Sequence, residues 1–509
     1  MPFFVGTASL RLGRLLALSG AIGSISCEAL WGPFGRDNPA NCVASSIGCG
    51  IDEVCDAMSQ TCVSGLRLDS IAPALASGRG GAMMTLRGQR FVDGARVFVD
   101  EQPASDVVVQ SPQELRFTLP PNLRDAWRVP VAVQNPSLYR SERRDLFAYY
   151  AETLQFASSS VAVGGVPIGA AAGDWNGDQK LDLALITIPS SGVQILLGDG
   201  QGTFRTGNSL PVGGATMTTQ HILSFDSNRD GKADLLVAAG GSLTLLLGDG
   251  QAGFATRRTL YTATAGHILR ALAVGDYDGD GNPDIALTDA AAGDVSADVL
   301  LLLNGGNDSY AAPVTVDTGA VARSLVIADF TGDARSDLLV GISDTRLSLW
   351  RNDGGQARTQ IDVPLSGCSG SAVAPADLNR DGRIDLVLLC DAAVRPLINQ
   401  GAGLFAPQPD LSVLTPAPTL AVADLNGDGH LDVVVGRGDG GGDSQVVGFL
   451  GDGAGRFATA QEIARYTAMM LTNGHALRTG DWDGDGKTDV LSMSTAASPS
   501  CRMLLNRSR

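Results

Sequence analysis

The sequence predicts an all-β chain: a seven-bladed β-propeller preceded by a smaller β domain. One nine-residue acidic loop occurs seven times, starting at Asp174, Asp226, Asp276, Asp329, Asp377, Asp424 and Asp481, so that the copies begin 47 to 57 residues apart. A repeat of this length with a fixed loop in each copy belongs to a closed propeller or a solenoid. Around every loop stand short apolar runs cut by glycine turns, and the chain holds 64 glycines for such turns. Four short antiparallel strands per repeat is the composition of a propeller blade.

Residues 1–26 read as an export signal. Arg11 and Arg14 precede an apolar run from Leu15 to Ile25, with small residues before Cys27. Ser24-Ile25-Ser26-Cys27 resembles a bacterial lipoprotein box, which implies lipidation of Cys27 and an anchor in the outer membrane or at the cell surface. A plainly secreted protein and an uncleaved anchor are the alternatives. No other stretch is apolar for long enough to span a bilayer.

Residues 27–65 form a Cys-rich linker. Cys42, Cys49, Cys55 and Cys62 lie in a segment too small for a core, which suits two disulfides in an oxidising compartment, in any of three connectivities. Zinc is the rival reading, but no CxxC pair and no nearby His supports it. Cys368 and Cys390 flank the fifth loop and could bridge a hairpin, whereas Cys501 has no obvious partner.

Residues 66–152 form a separate unit of alternating strand patterns, such as Arg96-Val97-Phe98-Val99, broken by Gly and Pro. Ile71-Ala-Pro73, Gly80-Gly81, Leu86-Arg-Gly88, Phe91-Val-Asp-Gly94, Pro120, Val133-Gln-Asn135 and Phe147-Ala-Tyr149 resemble the IPT/TIG family. That resemblance implies an immunoglobulin-like β-sandwich with a spacer or binding role and no catalytic residues.

Residues 153–509 hold the repeats. A short apolar strand leads into each acidic loop, an apolar run follows, and a third strand ends in a Gly turn such as Leu245-Leu-Leu-Gly-Asp-Gly250. An aromatic then opens a more polar fourth strand. The last repeat stops after its third strand at Met503-Leu-Leu-Asn506, and the segment from Leu154 to Val163 is an orphan fourth strand. Pairing the two closes the ring and leaves no free edge at the seam. The loops and the Leu-Leu-Gly-Asp-Gly-x-Gly-x-Phe turns, as at Leu196 to Phe204, resemble the FG-GAP/VCBS repeats of integrin-alpha-like propellers.

The loops point to calcium, about one ion per blade. The candidate ligands are Asp174, Asn176, Asp178, Lys180 and Asp182; Asp226, Asn228, Asp230, Lys232 and Asp234; Asp276, Asp278, Asp280, Asn282 and Asp284; Asp329, Thr331, Asp333, Arg335 and Asp337; Asp377, Asn379, Asp381, Arg383 and Asp385; Asp424, Asn426, Asp428, His430 and Asp432; Asp481, Asp483, Asp485, Lys487 and Asp489. Calcium takes six to eight oxygen ligands, which positions one, three, five and nine supply from side chains. Lys, Arg, His and Asn alternate at position seven, so only its backbone carbonyl can serve. Gly stands at the fourth or sixth position, where a sharp turn is needed. These are not EF-hands, since no Glu stands at position twelve and strands flank the loop. Magnesium, with its strict octahedral geometry, fits less well. Thr331 offers only a neutral hydroxyl, so the fourth loop is expected to be the weakest.

The net charge of −17 excludes nucleic acid as a partner, and 23 of the 54 acidic side chains sit in the seven loops. Three motifs fail their context. Gly248-x-Gly250-x-x-Gly253 has no helix after it and reads as a turn. Arg437-Gly438-Asp439 reads as a chance tripeptide in a Gly-rich turn. Arg140, Arg143 and Arg144 read as a solvated strand end. His221, His267, His430 and His475 fall in different blades and read as ordinary surface or turn residues. No nucleophile motif appears. The sequence therefore points to a non-enzymatic, exported propeller that recognises an extracellular protein or glycan. The alternatives are a polysaccharide-active enzyme using the propeller centre, or a purely structural envelope protein.

Overall fold

The computed structural model describes residues 53–56, 61–123, 127–136, 140–188, 192–212, 221–239, 241–291, 297–316, 322–342, 346–354, 358–365, 368, 372–390, 393–413, 419–438, 444–466, 477–494 and 500–508. The signal segment, Cys27, Cys42, Cys49 and His475 lie outside them. Every described element is a strand, and no described helix is long and apolar enough to cross a membrane. The described chain divides between Glu152 and Thr153 into two compact units.

The first unit carries a hairpin, Glu53–Asp56 with Thr61–Ser64, whose register sets Cys55 opposite Cys62. A β-sandwich follows. One sheet orders Arg67–Ala72, Met83–Gln89, Glu114–Thr118 and Ser105–Ser111, and the other orders Arg140–Arg143, Val131–Gln134, Arg96–Val99 and Gln102–Pro103. Alternate side chains of these strands point inward, as the two-residue period of a half-buried strand requires. Met84, Leu86, Val97, Val99, Leu115, Phe117, Val131 and Val133 make the core. Tyr149 is buried there and donates its hydroxyl to the Pro120 carbonyl at 2.8 Å. Arg140, Arg143 and Arg144 are not free cations: they pair with Glu101 and Glu142, with Asp145, and with Glu142.

The second unit contains seven antiparallel sheets among the described residues, five of them of four sequential strands, the fifth with a fifth short strand and the seventh completed by a strand from before the first blade. The first is Val166–Gly173, Asp182–Ile188, Gly192–Gly198 and Phe204–Pro211. The innermost strands of the others are His221–Phe225, His267–Gly275, Ala322–Ala328, Ala372–Ala376, Thr419–Ala423 and Leu477–Gly480. These innermost strands pack side by side in chain order, and the last packs on the first. Second and third strands such as Asp182–Ile188 are buried on both faces, which explains their unbroken apolar runs. Apolar clusters fill the space between neighbouring sheets, each drawing on two blades.

The ring closes at one seam. Phe156–Val161 pairs antiparallel with Ser500–Asn506, so the seventh sheet borrows its outer strand from before the first blade. One outer strand departs from the expected pattern. In the fifth blade it is split into Leu404–Pro407 and Leu411–Ser412. Pro407 and Pro409 stand at the break, and proline has no amide to give a ladder.

Cys368 and Cys390 form a disulfide across the fifth blade, 22 positions apart. Cys501 is buried and free. Joining two points of a chain at this separation restricts the unfolded state by about 3 kcal/mol. The double variant Cys368→Ser/Cys390→Ser is therefore expected to lose about that much stability in urea denaturation. An unchanged midpoint would remove the bridge from the stability of the ring.

Candidate metal centres

Each acidic loop joins the first strand of a blade to its second, and all seven share one geometry. The first Asp caps the loop from inside: in the first copy its carboxylate accepts the Gly177 amide at 2.8 Å and the Gln179 amide at 2.8 Å. In every loop but the fourth the third residue accepts the amide of the fifth, as Asn176 does from Asp178 at 2.9 Å. The fifth accepts the amide of the seventh, as Asp178 does from Lys180 at 3.0 Å. These Asx-type bonds wind the loop so that its oxygens converge.

Both position four and position six take a left-handed backbone. Glycine fills many of these places, but Gln179, Arg229, Ala334 and Arg380 adopt the same positive φ. The turn thus demands more than the expected glycine at one position or the other, and four non-glycine residues carry that strain.

The ninth Asp plays a different part. Asp182, Asp234, Asp284, Asp337, Asp385, Asp432 and Asp489 are all fully buried. One oxygen accepts the amide of the loop's second residue, as Asp385 does from Leu378 at 2.8 Å. The other accepts the amide at the end of the third strand, as Asp385 does from Asn399 at 2.7 Å. The same pair of bonds recurs in every copy. Burial, reinforced by nearby loop carboxylates, pushes Asp284 up to about 6 and Asp432 and Asp489 up to about 7. Asp182, Asp234, Asp337 and Asp385 are raised by burial as well. The amide bonds pull the other way in each case.

The second position supplies a signal that charge-based reading passes over. Trp175, Tyr277, Phe330, Leu378, Leu425 and Trp482 are buried there, between blades. The carbonyls of Trp175, Ser227, Tyr277, Phe330, Leu425 and Trp482 also receive hydrogen bonds from the next blade. Ala252 N–H donates to Trp175, Asn304 Nδ2 to Ser227, Asn352 Nδ2 to Tyr277 and Asn399 Nδ2 to Phe330. Asn506 Nδ2 donates to Leu425 and Gly202 N–H to Trp482. The four asparagines end third strands at the place where other blades have glycine, a Gly/Asn alternation visible in the sequence. Each loop is therefore a junction between two blades as well as a turn.

Metal chemistry fits this donor set. Carboxylate, amide and hydroxyl oxygens are hard ligands, and an oxygen that accepts one amide keeps a second lone pair. Among the described residues, Asp276, Asp278 and Asp284, and likewise Asp481, Asp483 and Asp485, bring three carboxylate oxygens within 4.8 Å of one another. In most other loops Asn replaces the third acid. In the fourth, Thr331 takes that place, its buried hydroxyl beside the Asp337 carboxylate. Position-seven side chains have partners of their own: Asn282 and Arg383 bond the second oxygens of Asp280 and Asp381 at 2.9 and 2.5 Å, and the buried Lys487 donates to the Ser508 carbonyl at 2.8 Å. The seventh loop is distinct because Arg507 sits on Asp483 at 2.8 Å and Asp485 at 3.3 Å.

The remaining motifs find structural places. Asp249 caps the Gln251 and Gly253 amides, so the glycine-rich segment there is a turn. Arg437 donates to Gln445 within its own sheet, and Asp439 lies outside the described residues. Two histidines are not ordinary surface residues. His221 is engaged with the Arg270 carbonyl of the next blade, and burial pushes its pKa down to about 4. His267 Nδ1 lies 2.8 Å from Asp289, which also accepts the Tyr261 hydroxyl at 2.6 Å. Strand pairing brings these three together, and no sequence spacing marks them.

The model for FG-GAP-like repeats matches residues 174–237, 226–287, 329–388, 377–435 and 424–492, each match opening on the first Asp of a loop, and that for the IPT/TIG domain matches residues 66–149. Among solved structures, the chain is similar to BBS1N in complex with ARL6DN (12% identity, TM-score 0.49, covering 69% of this chain and 97% of that one). It is similar also to an Agrocybe aegerita lectin described as recognising non-reducing terminal N-acetylglucosamine (16%, 0.46, 83% and 98%). A third is an auxiliary nutrient binding protein from Bacteroides ovatus (12%, 0.36, 87% and 98%).

The geometry separates two roles within one loop. Asp385→Asn would set an amide NH2 against a backbone donor in a buried site, and is expected to cost about 3 kcal/mol even in chelator. Asp230→Asn, half-exposed and able to accept the same amide, is expected to stay within about 0.5 kcal/mol of the parent in chelator. Urea denaturation in EDTA measures both. Equal losses would refute the division.

Proposed function

We infer that this chain, which belongs to the FG-GAP-like repeat family and carries an IPT/TIG domain, is an exported calcium-binding propeller that recognises a protein or glycan without catalysis. The observation that carries the reading is the repeated loop that is at once an oxygen-rich cation cradle and a junction between blades. Calcium at each loop would neutralise carboxylates that burial already disfavours, and would stiffen the ring at seven points. Positions one, three, five and nine hold the ion by side chain and position seven by its carbonyl, about one ion per blade. A rigid ring with variable connecting segments suits recognition, because scaffold and specificity are then carried by different residues. The Cys368–Cys390 bridge fits an oxidising compartment. With Cys27 as a lipidated N-terminus, the protein would stand on an outer membrane or cell surface.

At a dissociation constant of roughly 10⁻⁴ M and calcium near about 1 mM, each site adds about 1.4 kcal/mol. Excess EDTA is therefore expected to lower the melting temperature sharply, and an unchanged value would overturn the calcium reading. Thr331→Asp should tighten one site in a calcium titration, and identical isotherms would place Thr331 outside the ligand set. Recognition itself is tested by screening the full chain on immobilised glycans and envelope or matrix proteins, in calcium and then in chelator. A calcium-dependent hit is expected. Silence from a calcium-loaded, folded sample would favour a structural envelope role.

A further inference from the structure

The split outer strand of the fifth blade leaves a cleft of about 570 Å³ against the sixth blade. Its walls include Leu411, Phe449 and Phe457, with Arg437, Arg456 and Asp410 among them. A volume of this order suits a small ligand of about two sugar rings. Phe457 is half-buried and offers part of its ring to the cleft, while Leu411 and Phe449, buried in the core between the two blades, reach the cleft only by their edges. Of the charged side chains, Asp410 is already neutralised, because Arg395 grips both its oxygens at 2.7 and 2.8 Å. Arg437 is half-buried, and burial lowers its pKa. Its Nε and Nη2 both reach Gln445 Oε1, at 3.2 and 3.0 Å, which fixes one edge of the guanidinium and leaves Nη1 unspent. The nearest carboxylate, Glu462, is held by Arg465 at 2.7 Å. Arg456 stands exposed at the rim. In a chain of net charge −17 this cleft has a positive balance, set by two guanidinium groups and one neutralised acid.

We propose that this cleft between the fifth and sixth blades binds a carboxylate-bearing sugar, with Arg437 and Arg456 on the carboxylate and Phe449, Phe457 and Leu411 against the ring. The proposal rests on the recognition reading and names the ligand class at one place on the ring. A pre-oriented guanidinium selects a carboxylate through charge-assisted hydrogen bonds, which an ester cannot make equally well. The half-buried Phe457 ring accepts the carbon face of a pyranose, and Asp410 is too occupied with Arg395 to repel the anion.

The test titrates a galacturonic acid disaccharide and its methyl ester into the calcium-loaded full chain by calorimetry. The acid is expected to bind about tenfold or more tightly than the ester. Arg437→Gln is expected to weaken the acid by about tenfold and the ester hardly at all, with the melting temperature checked alongside. If Arg437→Gln does not fold, the exposed Arg456→Gln carries the comparison, with a smaller loss of the same selectivity. Equal affinity for acid and ester, full retention of acid binding in the arginine variants, or no saturable binding of the acid would each overturn the site. Glycan hits unaffected by both substitutions would overturn this cleft while leaving recognition elsewhere on the ring standing.

Discussion

The ring depends on seven buried carboxylates. An ionised Asp out of water is costly unless its oxygens are hydrogen-bonded, and the ninth residue of each loop takes one backbone amide on each oxygen, from two segments of its blade. One amide comes from the loop, the other from the end of the third strand, so a single side chain fixes the first hairpin against the second. Those bonds offset the desolvation only in part, as the upward pressure on Asp284, Asp432 and Asp489 makes plain. In the proposed calcium reading, a cation held by the convergent oxygens of the other loop positions would complete the balance.

The same loops determine how blades meet. Their second residues bury an aromatic or leucine between sheets, and the carbonyls behind those side chains accept hydrogen bonds from the neighbouring blade. Distortion of one loop would therefore pass to the adjacent blade through a bond and a packed ring such as Trp175 or Trp482, not through solvent. Arg229 and Arg380, both at position four, extend this link: Arg229 lies against Gly281 of the next loop, and Arg380 donates to the Gly429 carbonyl of the next. Blade docking, backbone strain and the convergent oxygens share one short segment, so a change at one of its positions touches all three.

Much of this was legible from residues alone. The three invariant Asp per loop, the strand grammar and the seam between Phe156–Val161 and Ser500–Asn506 follow from period and pattern, whereas the sequence left open whether Cys368 and Cys390 are bridged, and the structure joins them. The division of labour among the aspartates was not legible, because positions one, five and nine carry the same residue and differ only in burial. Likewise Asn304, Asn352, Asn399 and Asn506 look like turn residues until the neighbouring blade supplies their acceptors. The cleft beside Arg437 is formed by segments from two blades, and Asp289 meets His267 only across paired strands; local periodicity carries no information on either.

The seam has a consequence for how such a chain reaches its native state. Gln155 and Ser508, hydrogen-bonded beside the closing strands, are 353 positions apart. Until that contact forms, the partially folded chain is an arc with two uncovered edges, the state most exposed to edge-to-edge association. Blades built from neighbouring strands can form early at low entropic cost, whereas closure brings together distant ends and so comes late. Folding would then be limited by this one event, so a ligand that stiffens the arc before closure would speed folding as well as stabilise the finished ring.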